Sequence, residues 1–158
     1  LNLDQLDKII TNKTKLISIT HMSNVIGTIN PINKVIKIAH KNNIKILIDA
    51  AQSISHINID VKKLNCDYLV FSGHKIMGPT GVGVLYGKSK HLKKIPPLLG
   101  GGHMIKEVNL KSYTYNDIPW KFEAGTGNIA QAIGLGEAIK YFQSFEKNII
   151  FLVLGSTI

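Results

Sequence analysis

Ile44-Lys45-Ile46-Leu47-Ile48-Asp49 and Asp67-Tyr68-Leu69-Val70-Phe71-Ser72-Gly73-His74-Lys75 decide the fold. Each is a short β-branched or aromatic run ending in polar side chains, as expected of a buried strand that delivers its last residues to an open edge. Leu16-Ile17-Ser18-Ile19-Thr20, followed by His21, Ser23 and Asn24, repeats the pattern upstream. Between that run and Ile44 the spacing predicts a helix. Asn30 is its expected N-cap, Pro31 its first helical position, and Ile32, Val35, Ile36 and Ala39 its apolar face, with Asn42-Asn43 ending it. A short segment from Asp60 to Leu64 leads into the Asp67 strand, and Gly81 to Tyr86 reads as a further strand. Pro96-Pro97 and Gly100-Gly101-Gly102 mark a loop where regular structure lapses. It resumes as a helix over 129–142, with Ile133, Leu135, Ala138, Ile139 and Phe142 on one face. Strands alternating with helices imply an α/β fold, a mostly parallel sheet flanked by helices on both faces. Such sheets bind ligands beyond the carboxyl ends of their strands, where the polar clusters fall.

The composition narrows the classes. At 158 residues and 44% apolar, the chain can build one domain with a real core. Its formal charge of +9 comes from Lys alone: all 19 basic residues are Lys, scattered among Ile and Asn. A nucleic-acid reader is expected to use the planar fork of Arg and to cluster its charge. The densest stretch, Lys88 to Lys94, reads as a solvated helical face. A Lys-rich nucleic-acid binder is therefore a competing hypothesis of low weight, and no nucleic-acid partner is expected. The single cysteine, Cys66, excludes an internal disulfide framework and fits a reducing compartment. Its place before a buried strand reads as core rather than nucleophile. No apolar run approaches the ~20 residues of a membrane span and no leader pattern opens the chain, so the expected location is the cytoplasm, with no membrane partner.

Asp49 lies at the edge of a buried strand, where an unpaired carboxylate is costly. Lys75 closes the next strand. If the two strands are neighbours, both side chains open into one crevice, and two readings fit: an Asp49–Lys75 ion pair, or a cofactor site. Ser72, His74 and Thr80 add donors suited to a phosphate, and Gln52 can bond a phenolic oxygen. Together these are the parts of a pyridoxal-phosphate pocket. They supply an amine to condense with the aldehyde, a carboxylate to keep the ring nitrogen protonated, and donors to anchor the phosphate. Other motifs fail. Gly78-Pro79-Thr80-Gly81-Val82-Gly83 is followed by Val84 where a P-loop needs Lys, and a dinucleotide fingerprint would need glycine at Tyr86. The six His show no close pairing, so no metal site is expected.

At these residues the chain resembles the class V, fold-type I pyridoxal-phosphate enzymes, and within them the SUF-type cysteine desulfurases. The resemblance runs from Leu16 to about Phe142. It is carried by Thr20-His21-Met22-Ser23-Asn24-Val25-Ile26-Gly27-Thr28, Ile48-Asp49-Ala50-Ala51-Gln52, Phe71-Ser72-Gly73-His74-Lys75, Gly78-Pro79-Thr80-Gly81-Val82-Gly83 and Phe122-Glu123-Ala124-Gly125-Thr126. It implies that Lys75 is the lysine joined to the cofactor aldehyde, that Asp49 pairs with the pyridinium nitrogen, and that Gln52 reaches the ring hydroxyl. Ser72 and His74 would hold the phosphate, and Asn24 would face the substrate carboxylate or the cofactor. Thr126 would reach the phosphate of a partner subunit, which implies a homodimer. For Asn24 a turn residue, and for Thr126 a helix N-cap, are the plain structural readings.

Gly100-Gly101-Gly102-His103-Met104-Ile105 resembles the SUF-type group more than its relatives. The implied activity removes sulfur from L-cysteine to give L-alanine and passes it, as a persulfide, to a SUF acceptor protein for iron–sulfur assembly. A selenocysteine lyase, another class V aminotransferase-like enzyme and a non-catalytic truncated remnant are the alternatives. Gly127 stands where the family usually has Pro. The family's ring-stacking aromatic residue, first phosphate-binding turn, substrate Arg and catalytic Cys loop find no counterpart here. The expectation is a fragment, inactive alone: residues 1–146 a partial cofactor-binding large domain, and 147–158 a tail outside the family pattern that also reads as non-native sequence.

Overall fold

The computed structural model describes residues 3–145; the tail expected over 147–158 lies outside them. In chain order the elements are α1 (Leu6–Ile9), β1 (Leu16–Thr20), α2 (Ile32–Lys41), β2 (Lys45–Asp49), α3 (Val61–Leu64), β3 (Tyr68–Ser72), β4 (Gly83–Gly87), α4 (Ser89–Leu92), β5 (Ile105–Val108), β6 (Tyr113–Tyr115) and α5 (Ile129–Ser144). Single 3₁₀ turns at Ser53–Ser55, Gly73–Ile76 and Trp120–Phe122 join them.

The four strands of the main sheet stand in the order β1-β2-β3-β4. β1, β2 and β3 are parallel and β4 is antiparallel to β3, so the sheet is mostly parallel, as expected. The register places Ile17 beside Ile46, Ile19 beside Ile48, and Ile48 beside Leu69. Because side chains alternate across a strand, all of these share one face. On it α2 lays Ile32, Val35, Ile36 and Ala39, and the buried core forms from these with Ile44, Ile46, Ile48, Ala50, Cys66 and Leu69. Helices were expected on both faces. Among the described residues α2 lies on this one and α4 reaches the other, where its His91 ring stands 5.8 Å from that of the buried Tyr68, while Leu16 and Leu85 on that face are exposed.

Three local expectations change. Asn30 does not cap α2, which starts at Ile32 and has no side-chain cap; its amide donates instead to Thr20 O at 2.7 Å. A strand-end carbonyl within reach outcompeted the helix amides. The stretch after the glycine triplet is not structureless, since β5 and β6 pair there as a small antiparallel ribbon with Tyr113 edge-on to Tyr115. Within Lys88 to Lys94, Lys90, Lys93 and Lys94 are exposed, but Lys88 is drawn in to Asp67 at 3.1 Å.

The turn after β3 is held from several sides. Gly73 N–H donates to Val82 O at 2.8 Å, Gly78 N–H donates to Gly73 O at 3.0 Å, and Ile76 is buried. Gly78 is required there, because a Cβ would stand 2.7 Å from Gly73 O and 2.9 Å from Leu135 Cδ1. Leu135, the buried residue of α5, thereby braces the turn that carries Lys75.

Candidate cofactor site

Parallel pairing brings Thr20 beside Asp49 and sets β3 alongside β2, so the carboxyl ends of all three strands open on one edge. There Thr20, Met22, Asn24, Asp49, Ala51, Gln52 and Lys75 line a cleft of about 240 Å³. The neighbouring-strand condition on Asp49 and Lys75 is met, and Asn24 and Gln52 join them. The ion-pair reading is not, since no salt bridge links Asp49 to Lys75.

Asp49 is locked in place by its own surroundings. Oδ1 accepts from Ala51 N–H at 2.9 Å, its carbonyl accepts from His21 N–H at 2.8 Å, and Ala50 N–H donates to Val70 O at 2.9 Å. Its Oδ2, the Lys75 amine and the side-chain amides of Asn24 and Gln52 have no hydrogen-bond partner among the described residues. One fixed carboxylate, one amine and two carboxamides thus converge with their capacity unspent. This donor set suits a ligand bearing a carbonyl carbon, a basic ring nitrogen and oxygen acceptors, which are the functional groups of pyridoxal phosphate.

The other expected residues do not line the cleft. Ser72 is the last residue of β3, half-buried; His74 precedes Lys75 in the turn and is exposed. Thr80 and Thr126 are exposed on loops. Three cleft residues, Ala51, Thr20 and Met22, went unread as site residues in the sequence, the last two flanking His21. Period-2 alternation was the available signal for those two: it puts them on the cleft side and His21 on the other. The His21 ring is buried and its Nδ1 has no partner; burial lowers its pKa.

Two further charges sit apart from the cleft. Asp67, 4% exposed, precedes β3. Its Oδ1 accepts from Lys88 Nζ at 3.1 Å and His91 Nε2 at 2.9 Å, and its Oδ2 from His40 Nε2 at 2.9 Å and Ile46 N–H at 3.0 Å. Burial by itself would raise its pKa, but these bonds outweigh it and hold the carboxyl well below the usual range. Lys121, 7% exposed, donates to Leu92 O at 3.3 Å and Lys93 O at 3.1 Å and lies over the Phe122 ring. Cys66 is fully buried and burial raises its thiol pKa, so it is not poised as a nucleophile. Among the described residues no cluster of three or more His, Cys, Asp or Glu is set to hold a metal, and no helix is long and apolar enough to cross a membrane.

The profile of the class-V aminotransferases matches residues 1–151. A cysteine desulfurase of Wigglesworthia glossinidia brevipalpis is 54% identical over 95% of the chain and 39% of its own length. A probable cysteine desulfurase of Halalkalibacterium halodurans is 50% identical over 90% of the chain and 35% of its own. The solved cysteine desulfurase CsdA of Escherichia coli, an S-sulfonic acid form, superposes with a TM-score of 0.88 at 41% identity, over 92% of this chain and 36% of that one. The chain thus spans less than two fifths of the length of these relatives. Class-V aminotransferases and cysteine desulfurases are pyridoxal-phosphate enzymes, matching the chemistry of the donor set in the cleft. On the profile match and these likenesses together, the chain belongs to the class-V aminotransferase family.

Proposed function

We propose that this chain forms the cofactor-holding part of a cysteine desulfurase of the SUF type, acting on L-cysteine. The carrying observation is the convergence of Asn24, Asp49, Gln52 and Lys75 on one cleft at the carboxyl ends of parallel strands. Pyridoxal phosphate, when bound, supplies an aldehyde carbon and a ring that withdraws electrons from the substrate's Cα. Lys75, whose backbone is presented at the cleft on the braced turn, would hold the aldehyde through Nζ. Asp49, with Oδ1 held by Ala51, offers Oδ2 to keep a proton on the ring nitrogen. Gln52 binds the ring hydroxyl and Asn24 the substrate carboxylate or the cofactor. Ser72 and His74 bind the phosphate from the end of β3, and Thr126 reaches that of a partner subunit in a homodimer. Gly100-Gly101-Gly102-His103-Met104-Ile105 supports the SUF assignment, with a SUF protein as sulfur acceptor and the cytoplasm as location.

The test is reductive trapping. The chain is loaded with pyridoxal phosphate, reduced with borohydride and mapped by mass spectrometry. The reduced adduct is expected on Lys75 among the 19 lysines. Adducts on other lysines with none on Lys75 defeat the reading.

A further inference from the structure

Asn30 has no part in the cleft chemistry above and does not cap its helix. It closes a loop. Its Nδ2 donates to Thr20 O at 2.7 Å and its backbone N–H donates to His21 O at 2.8 Å. Within that closure Ser23 N–H donates to Thr28 O at 3.0 Å, and Met22 pairs with Ile29 as an isolated antiparallel bridge. Ser23 Oγ accepts from Val25 N–H at 3.2 Å and Ile26 N–H at 3.4 Å, and Gly27 makes the turn at φ +67°, a conformation that side chains resist. Residues 21–30 are therefore a narrow loop standing on the end of β1. Packing does not hold its tip, since Val25 is 81% and Ile26 78% exposed. The outgoing limb carries Met22 and Asn24 to the cleft, and the returning limb is fastened to the strand by the Asn30 side chain.

We infer that Asn30 is a positioning residue whose amide latch sets Asn24 against the ligand in the cleft. The inference rests on the cofactor reading of that cleft. Thr20 O can only accept, so the latch needs a donor at position 30. Asparagine supplies one; aspartate, of the same shape, places a second acceptor there.

The experiment is a double-mutant cycle on the full chain. Affinity for pyridoxal phosphate is titrated by the absorbance of the lysine-bound cofactor, with thermal melting alongside. Asn24→Ala and Asn30→Ala are each expected to weaken affinity by about five- to tenfold, the weight of one net hydrogen bond. The double variant should be no weaker than Asn24→Ala alone, because the latch acts through Asn24. Asn30→Asp should lose as much as Asn30→Ala, and carries the cycle if the alanine variant fails to fold. Unchanged affinity in the Asn30 variants, or losses that multiply in the double, overturn the inference. A wild-type chain that takes up no pyridoxal phosphate defeats the cofactor reading itself and this inference with it. Wild-type uptake with a multiplying cycle defeats the latch alone.

Discussion

Asp49 and Cys66 show how one sheet gives two polar side chains opposite tasks. Asp49 is the last residue of β2, at the carboxyl edge, with one oxygen held and the other unbonded, so its charge is available to a ligand. Asp49→Asn keeps the shape and removes that charge. Uptake of pyridoxal phosphate should then fall only modestly, because the phosphate contacts are separate. Exchange of the substrate Cα proton, followed by NMR with L-alanine in deuterated water, should slow by on the order of 10²-fold. Equal exchange in both proteins would remove Asp49 from the chemistry. Cys66 stands before β3, at the other end of the strand from Lys75. The five residues of β3 span roughly 16 Å, whereas sulfur transfer needs a thiolate within about 3–3.5 Å of the substrate sulfur. The chain loaded with cofactor and given L-cysteine and a reductant should therefore release no sulfide through this thiol. Sulfide production that disappears in Cys66→Ser would contradict that placement.

At the level of elements, the turn at Gly73–Ile76 depends on α5, far along the chain. Gly78→Ala drives a methyl against Gly73 O and Leu135, so it should destabilise by about 1–3 kcal/mol in urea unfolding and lower cofactor uptake with it. A variant as stable as the parent would mean that the turn relaxes freely. This dependence was invisible in the sequence, as was Asn30's bond to Thr20, because both join residues whose proximity only the tertiary fold creates. The strands around Ile46 and Val70 were legible because burial on the core face writes itself as β-branched runs ending in polar residues. The cleft was legible for the same reason: Asp49 and Lys75 each end such a run. The β5–β6 ribbon was not, since its strands of four and three residues are mostly exposed and carry no alternation to read.

For the whole molecule, Asp67 is the joint between layers. It binds α2 through His40, β2 through the Ile46 amide, and the β4–α4 junction through Lys88 and His91. Because these bonds favour the ionised form, its pKa in the folded chain lies below the ordinary 3.8 of the unfolded one. A depressed carboxylate pKa means that protons bind the unfolded state more readily, so its stabilisation is fully present above about pH 4 and is lost as pH falls below that. Unfolding free energy measured by urea titration should therefore drop steeply on acidification through this window. Asp67→Asn removes the charge that neutralises Lys88, whose ammonium is largely buried, and should cost about 3 kcal/mol at neutral pH. It should also flatten the acid limb, because the group that titrates is gone. Since Asp67 lies at the end of the sheet away from the cleft, the variant that still folds should take up pyridoxal phosphate as the parent does. An Asp67→Asn chain whose stability falls with acid as steeply as the parent's would show that other carboxylates, and not this joint, set the acid limit of the fold.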